Sequence, residues 1–356
     1  MMGMLRGAIA AVFCMGVAQA SEISSGARGH SFNPVWSPDG RYLAFEINDY
    51  ERTNDLYVVE ISNGSATQVP QKVVVPGGGS SFSGGGAIAT GAVWHPEGAL
   101  IFEGSTSGGS SRLYLWMPGR QGAGELLTGT QIGGDLSWPT VSPDGAKVMF
   151  VSDVTGGGDL YVWDKASNTV SQVSSSPFAE MSPKYSEDGS RVTYTRKNRG
   201  GHDVYTLEAG APRPRVGGNG DQSRPAWHIN DIVFFSNERG EQEWDIMVSK
   251  GVGQKRTVVE NVRLPHRMSP SVTPDGGYPD QGWVVYGVSD PTKSGKLYCE
   301  SLFDDQIYEI DTGLVAAGEA SMAYINGTWL LAFTALPAKG ADWRQLHVID
   351  ITSYFE

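Results

Sequence analysis

The residue types that most often carry chemistry are present in this chain of 356 residues, but their spacing matches no site of known mechanism. The histidines fall far apart, without the short intervals of a metal site. The sequence contains no Gly-x-Ser-x-Gly nucleophile elbow, no His-Glu-x-x-His and no phosphate-binding loop. It therefore predicts no catalytic residue, no metal site and no cofactor. The six histidines are His30, His95, His202, His228, His266 and His347.

The acidic residues are more regular, because many of them stand in a turn that recurs along the chain. Its first copy reads Trp36-Ser37-Pro38-Asp39-Gly40. Proline presets φ at the second position of such a turn, aspartate bonds to the local backbone, and glycine takes the positive φ that closes it. A residue type that returns in each unit serves the repeat, so these carboxylates are predicted to cap turns. Complete or degenerate copies begin at Trp94, Val141, Tyr185, Trp227, Val272 and Tyr324.

Two positions of the turn carry further information. His95 and His228 stand where the first copy has serine, so both histidines are predicted to act within their turns. The first position of the turn is aromatic in most copies. This regular recurrence favours packing between units over an aromatic binding platform.

The elements that position these residues are short strands. Each turn is followed by an apolar run, and a second run, which often opens with aspartate, comes after the next loop. The turns are spaced at roughly 42 to 58 residues, close to the length of a propeller-blade repeat. The units are therefore predicted to be antiparallel sheets of four strands that cover one another when they stack radially.

Seven units are counted, which predicts an all-β, single-domain β-propeller of seven blades; a six-bladed ring is the alternative. The seventh unit ends near Ile351 and lacks an outer strand. The segment Ser21 to Arg28 is predicted to supply that strand from the other end of the chain. Such a closure would remove two exposed strand edges at once.

A binding site should break the repeat, and one position does so. Proline stands two residues before most of the turns, as at Pro34. The residue three places before this proline position lies where the chain enters the innermost strand. This set is predicted to ring one mouth of the central channel. Its polar members form a candidate ligand- or peptide-binding rim; the alternative is a merely solvated channel entrance. The candidates are Glu180, Gln222, Arg267 and Glu319.

Residues 1–20 have the three parts of a secretory signal peptide. Arg6 supplies the positive start, Ala8 to Val17 the apolar stretch, and Ala18-Gln19-Ala20 the small-x-small cleavage site. Cleavage between Ala20 and Ser21 is predicted, which leaves residues 21–356 as the propeller domain of an exported protein. An N-terminal membrane anchor is the alternative, although the apolar stretch is short for a span.

Composition narrows the range of partners. The formal net charge of −12 argues against nucleic acid and against an anionic lipid surface. No stretch after residue 20 is apolar and long enough for a transmembrane helix, so no stable membrane span is predicted in the mature chain. Cys299 is the one cysteine left after cleavage, which predicts a buried thiol and no internal disulfide. The glycine-rich segment 76–90 is either a functional loop or a flexible insertion.

The segment Pro34 to Gly40, read with Asp-Leu-Tyr-Val at Asp55 to Val58, resembles the WD-repeat-like repeat of the TolB-type β-propeller family. The resemblance covers essentially the whole chain after residue 20. It implies a periplasmic setting and a non-enzymatic protein whose partners are envelope proteins. The repeats begin almost at Ser21, which predicts a propeller without the N-terminal α/β domain of TolB. Seven units are counted here, where TolB has six blades.

Two hypotheses about function stand side by side at this point. The first is an exported, periplasmic, non-enzymatic scaffold of the cell envelope that binds proteins or peptides through one face or the channel mouth; an extracellular location is the alternative. The second is a propeller that binds or cleaves a carbohydrate or a peptide, with a metal in its channel. Three or more histidines or carboxylates that converge at the axis would favour the second hypothesis.

Overall fold

The computed structural model describes most of the chain, and within the described ranges the regular structure is β-strand apart from two short 3-10 helices, Pro291–Lys293 and Thr352–Tyr354. This confirms the prediction of an all-β fold. Residues 1–18 of the predicted signal peptide and residues 78–86 of the glycine-rich segment lie outside the description. The described residues are 19–24, 28–49, 54–77, 87–106, 108–120, 122–127, 132–273, 282–288 and 290–355.

The first strand, β1 (Ser21–Glu22), precedes an antiparallel meander that we call unit 1. The recurrent turn joins the first two strands of this unit. Unit 1 consists of β2 (His30–Trp36), β3 (Tyr42–Asn48), β4 (Asn54–Ser62), β5 (Ser65–Ala66) and β6 (Gln71–Val73). The short strands β5 and β6 both pair antiparallel with β4.

Units 2 to 5 repeat the meander, each with four antiparallel strands in chain order. Units 2 and 3 contain β7 (Ile88–Trp94), β8 (Leu100–Ser105), β9 (Arg112–Trp116), β10 (Glu125–Leu126), β11 (Leu136–Val141), β12 (Lys147–Ser152), β13 (Asp159–Asp164) and β14 (Thr169–Gln172). Units 4 and 5 contain β15 (Glu180–Tyr185), β16 (Arg191–Lys197), β17 (Gly201–Glu208), β18 (Ala211–Val216), β19 (Gly220–His228), β20 (Asp231–Ser236), β21 (Asp245–Gly251) and β22 (Gln254–Val259).

Unit 7 takes its fourth strand from the N-terminal segment. Unit 6 contains β23 (Ser271–Val272), β24 (Trp283–Gly287), β25 (Lys296–Ser301) and β26 (Ile307–Asp311), and unit 7 contains β27 (Val315–Ile325), β28 (Thr328–Leu336) and β29 (Gln345–Asp350). The strand β1 pairs antiparallel with β29, with Ser21 opposite Val348. The N–H of Ile23 donates to the carbonyl oxygen of Leu346 at 2.8 Å. The two ends of the described chain therefore share one sheet.

The core consists of apolar layers between neighbouring units. In β3, Leu43 and Phe45 pack in a cluster with Leu330 of unit 7, whereas Ala44 packs in a cluster with Phe102 of unit 2. Successive strand residues point to opposite faces, and here both faces meet another unit. This is why the runs after each turn are continuously apolar rather than alternating.

The recurrent tryptophans Trp36, Trp94 and Trp227 lie within these layers, as predicted, whereas Tyr324, the aromatic residue of the last copy, is 42% exposed. The indole N–H of Trp36 donates to the carbonyl oxygen of Ser321 in unit 7 at 3.0 Å, and that of Trp94 donates to Val35 in unit 1 at 3.0 Å. Each tryptophan therefore bonds to the inner strand of an adjacent unit while its ring is buried. Cys299 is also buried, as expected, and burial raises the pKa of its thiol to about 12.

The turns are capped as the sequence predicts. The hydroxyl of Ser37 donates to Asp39 at 2.6 Å and accepts from the N–H of Tyr42 at 2.8 Å. His95 replaces the serine of its turn: its Nδ1 accepts from the N–H of Glu97 at 3.1 Å, and its Nε2 bonds the carbonyl oxygen of Gly145, in the next turn, at 2.9 Å. The histidine thus acts in its own turn and also links two units.

Candidate channel site

The inner strands of most units carry a bulge. The pairing of β2 with β3 shifts register between Phe32 and Val35, and Asn33 within this shift has φ of +49°. A positive φ is uncommon for a residue other than glycine. A bulge interrupts the hydrogen bonds between two strands, and proline tolerates this because it has no N–H that would remain unpaired. The repeated prolines therefore mark the bulges. The same place is taken by Trp138 (φ +54°), Ser182 (φ +53°) and Arg224 (φ +53°).

Four of these bulges join adjacent units. The N–H of the bulge residue meets an oxygen acceptor on another unit, and in three cases the acceptor is a buried carboxylate. Buried carboxylates that accept backbone N–H bonds avoid much of the cost of desolvation. The pairs are Asn33 with Glu319 (2.9 Å), Gly91 with Glu46 (3.0 Å), Trp138 with Glu103 (2.7 Å) and Arg224 with the hydroxyl of Thr195 (3.0 Å).

Sequence reasoning missed Glu46 and Glu103, although a signal was present. Glu46 stands inside the apolar run Leu43-Ala44-Phe45-Glu46-Ile47, and Glu103 directly follows the apolar run that ends at Phe102. A charge in such a run is costly unless specific donors meet it, so it marks a built polar contact. Glu46 receives those donors from the side chains of Asn54 at 2.6 Å and Thr90 at 2.8 Å, in addition to the N–H of Gly91.

Arg267 crosses the space enclosed by the inner strands. Its guanidinium group donates to both carboxylate oxygens of Glu103, at 2.7 Å and 3.1 Å, and lies 4.1 Å from the ring centroid of Trp138. The side chains of Arg267 and Glu103 are 20% and 6% exposed. Burial raises the pKa of Glu103, and the charge and hydrogen bonds of Arg267 oppose that shift.

The Arg267–Glu103 pair divides this space in two. The inner part, which we call the channel cavity, has a volume of about 80 Å³ and is lined by units 1, 2, 3, 4 and 6. The outer part, the mouth cavity, has a volume of about 520 Å³. Arg267, Glu103 and Trp138 line both parts. The ion pair therefore forms the partition between mouth and channel.

Lys184 also lines the channel cavity. Burial lowers the pKa of its ammonium group, and the charge of Arg267 lowers it further. Two cations and the carboxylates of Glu46 and Glu103 thus line the same small cavity. Charges at such short range in a low dielectric interact strongly, which fixes the positions of the side chains.

The structure places one of the four predicted rim residues, Arg267, at the channel, and a second, Glu319, is buried next to the segment that carries it. Arg267 forms the partition, and Glu319 accepts from the N–H groups of Asn33 at 2.9 Å and His266 at 2.6 Å. Burial raises the pKa of Glu319. Because His266 precedes Arg267, Glu319 anchors the segment that carries the partition.

Glu180 and Gln222 are not brought to the mouth. Glu180 accepts a hydrogen bond from the hydroxyl of Ser174, and Gln222 donates to the carbonyl oxygen of Asn219 at 2.9 Å. Both side chains are buried; Glu180 lies against the loop that follows β14 of unit 3, and burial raises its pKa. The following residues, Met181 and Ser223, line the mouth cavity instead. Alternation along a strand places Glu180 and Gln222 on the other face.

The wall of the mouth cavity mixes apolar, aromatic and basic side chains. Trp244, Leu264 and Met181 contribute apolar surface. The same wall also contains a polar pair: Nδ1 of His202 lies 2.6 Å from a carboxylate oxygen of Asp221, and both residues line the cavity. No group of three or more histidine, cysteine, aspartate or glutamate side chains placed to hold a metal ion occurs in the described part of the chain. Among the same residues, no helix is long and apolar enough to cross a membrane.

Antiparallel four-stranded units whose inner strands surround a shared cavity define the β-propeller class. Comparison with known proteins narrows this class. A profile of the TolB beta propeller domain matches residues 123–299. The TolB homologue of Chlorobaculum tepidum is 26% identical over 136 residues, which are 37% of this chain and 29% of that protein. The chain belongs to the TolB-type β-propeller family.

Solved structures share the fold at low sequence identity. TolB from Acinetobacter baumannii superimposes with a TM-score of 0.52 and 14% identity, over 88% of this chain and 64% of that chain. An oligogalacturonate lyase from Vibrio parahaemolyticus superimposes with a TM-score of 0.58 and 11% identity, over 96% of this chain and 92% of that chain. Likeness at this level concerns the fold alone, because one fold hosts unrelated functions. The neighbours thus include both TolB and an enzyme.

Proposed function

We propose that this protein is an exported, periplasmic, non-enzymatic scaffold of the cell envelope, which binds a protein or peptide partner at the mouth of its channel. The proposal follows the family, whose TolB members are envelope proteins, and the predicted signal peptide with cleavage between Ala20 and Ser21. Its architecture would be a single ring of seven blades, residues 21–356, in which β1 completes the last blade. The pairing of β1 with β29 and the bond from Asn33 to Glu319 support a closed ring.

One observation carries the scaffold proposal: the carboxylates around the channel already have donors. Both oxygens of Glu103 bond to Arg267, both oxygens of Glu319 bond to backbone N–H groups, and both oxygens of Glu46 are bonded as well. A general acid or base must exchange its proton with a substrate and cannot be fully engaged in holding the fold. These groups therefore suit a rigid surface better than a reaction.

Of the predicted rim, Arg267 and Glu319 belong to the proposed binding face. They shape the floor of the mouth and hold its wall segment in place. Glu180 and Gln222 would support that face from behind, through bonds to Ser174 in the loop after β14 and to Asn219 in the loop before β19. A rigid rim costs less entropy when a partner binds.

Affinity capture from the envelope fraction of the source organism tests the proposal. The bait is the mature chain, and the variant is His266→Glu, because His266 is exposed and lines the mouth. Arg120→Glu is the matched control, since Arg120 is exposed on a distant loop. We expect one envelope protein to be captured by the unaltered and control chains and lost with His266→Glu. Capture of nothing, or equal capture by all three, would refute the scaffold. N-terminal sequencing should find Ser21 first in the periplasmic fraction.

A second candidate function is a carbohydrate-acting enzyme, which the His202–Asp221 pair favours. A histidine whose Nδ1 faces a carboxylate is a common arrangement for a general base. The pair lies in the mouth cavity, where a ligand could reach Nε2. Cleavage of an acidic polysaccharide by the unaltered chain and not by His202→Asn would establish this function in place of the scaffold.

A further inference from the structure

Three arginine side chains lie near enough to the buried Glu319 to interact with its charge, and none of them has an ion pair of its own in the described part of the chain. Arg263, Arg344 and Arg224 come from the loop before β23, the loop before β29 and the bulge of β19. In the ranges that the structure describes, the guanidinium groups of Arg263 and Arg344 make no hydrogen bond or salt bridge, and that of Arg224 donates only to the carbonyl oxygen of Pro265. Arginine side chains without an acidic partner are unusual in a chain whose formal net charge is −12, because its acidic side chains outnumber its basic ones.

The guanidinium groups of Arg263 and Arg344 are close to each other. A Cβ atom placed on Gly318 would lie 3.2 Å from Cδ of Arg263 and 4.0 Å from both Nε of Arg263 and Nη1 of Arg344. Burial lowers the pKa of Arg263, and the neighbouring charge of Arg344 lowers it further. For Arg224, burial also lowers the pKa, while the carboxylate of Glu319 acts in the opposite direction.

Glu319 does not neutralise this cluster. It is a single carboxylate beside three cations, and its two oxygens are occupied by the N–H groups of Asn33 and His266. Arg267 is matched by Glu103 and adds no free charge. The rim around Glu319 therefore carries an excess of positive charge at the mouth of an acidic protein. Like charges held together cost free energy unless a counter-charge arrives.

We propose that this arginine rim, made of Arg224, Arg263 and Arg344, is a receptor for carboxylate groups, and that its ligand is an acidic peptide segment with apolar side chains. Guanidinium groups bind carboxylates in paired hydrogen bonds, which a half-buried site strengthens. The adjoining mouth cavity is of the size of a ligand pocket. This inference rests on the proposed scaffold function and names the chemistry of its partner.

The wall of the mouth cavity favours a peptide over an acidic saccharide. Met181, Leu264 and Trp244 would face the bound molecule. The hydroxyl groups of a sugar buried against methionine and leucine would lose their hydrogen bonds to water without replacement. An apolar side chain beside a carboxylate suits the same surface, because it gains from leaving water.

Fluorescence anisotropy with a labelled peptide of alternating glutamate and leucine tests the inference. We expect binding that weakens as ionic strength rises, and no binding of the matched glutamine–leucine peptide. The double variant Arg263→Gln/Arg344→Gln should weaken binding by at least about tenfold, the effect of losing one charged hydrogen bond. Arg120→Gln, which changes an arginine elsewhere on the surface, should bind as the unaltered chain does.

The variants should fold, because neither guanidinium group has a partner to lose. Circular dichroism should be unchanged, and the melting temperature of the double variant should equal or exceed that of the unaltered chain, since mutual repulsion is relieved. Equal binding of both peptides, or unchanged binding by the double variant, would overturn the inference. Binding of polygalacturonate in place of the acidic peptide would overturn the assignment to a peptide.

The same variants separate this inference from the scaffold proposal. If the double variant captures the envelope partner as well as the unaltered chain does, the arginine rim is not the receptor and the scaffold stands. If the acidic peptide binds in an arginine-dependent way but no envelope protein is captured, the rim stands and the scaffold falls.

Discussion

Replacing Arg267 by glutamine removes the cation that faces Glu103 across the channel. Glu103 would keep the N–H of Trp138, at 2.7 Å, as a donor, and its side chain is only 6% exposed. Leaving one member of a buried pair without its partner costs roughly 3–5 kcal/mol. Water from the mouth cavity can reach the vacated space, so we expect a loss near the lower limit, about 3 kcal/mol of unfolding free energy.

The reverse change, Glu103→Gln, should cost less, because Arg267 is more exposed and keeps its contact with the ring of Trp138. We expect about 1–2 kcal/mol, the cost of weakening two charged hydrogen bonds to neutral ones. In the double variant Arg267→Gln/Glu103→Gln no charge is left unpaired. The decrease in the free energy of unfolding of the double variant should therefore be smaller, by about 2 kcal/mol, than the sum of the decreases of the two single variants.

Urea unfolding followed by tryptophan fluorescence measures these changes, with the denaturant slope checked for each variant. Acidification supplies an internal test. Without Arg267 the pKa of Glu103 must rise further, so the penalty of Arg267→Gln is present at neutral pH and shrinks as falling pH protonates Glu103. Arg120→Gln, in an exposed pair with Glu125, should show no measurable change. A stability of Arg267→Gln equal to that of the unaltered chain, or strictly additive losses, would refute the reasoning.

Three further predictions concern stability. Burial lowers the pKa of His347 to about 4; stability from the neutral ring is therefore complete above pH 6.5 and lost as pH falls towards 4, by up to about 3 kcal/mol. His347→Leu should flatten this decline in pH-dependent urea unfolding, and a decline as steep as that of the unaltered chain would contradict the reasoning. Gly145→Ala should lower the free energy of unfolding by about 2–3 kcal/mol, and Gly98→Ala by only about 1 kcal/mol. Both glycines have a positive φ, but only the Cβ added at Gly145 would clash with His95, at 2.6 Å. Equal decreases in melting temperature for the two variants would contradict this prediction. Ser24→Ala removes bonds to Gln345 at 2.7 Å and to the N–H of Leu346 at 2.8 Å, and should cost about 2 kcal/mol, whereas Ser21→Ala at the exposed edge should not change the denaturation midpoint.

The fold could be read from the sequence because its signals are local and repeated. The turn at Trp36 to Gly40 contains its own cap, in which Ser37 and Asp39 bond within a few residues. The apolar runs that follow predict strands buried on both faces. The role of His95 in its turn also followed from position alone.

The candidate site was harder to predict because its contacts join distant parts of the chain. Arg267 meets Glu103 across 164 positions of sequence, and a repeat alignment cannot show which way a side chain points. The bulge in most of the inner strands changes the direction of the residues beside it. Glu180 and Gln222 stand next to such bulges and are buried, while Arg267 comes from the loop before β23 and reaches the channel.

The bond from Asn33 to Glu319 has a consequence for where this chain can be cut and rejoined. It links the last unit to the first through the same contact that links units 1 and 2 and units 2 and 3. Units 7 and 1 are therefore joined in the same way as two pairs of units that follow one another along the chain. A circular permutant that opens in the exposed turn between β13 and β14 would retain these three bonds, whereas excision of unit 2 would leave the buried Glu46 without the N–H of Gly91.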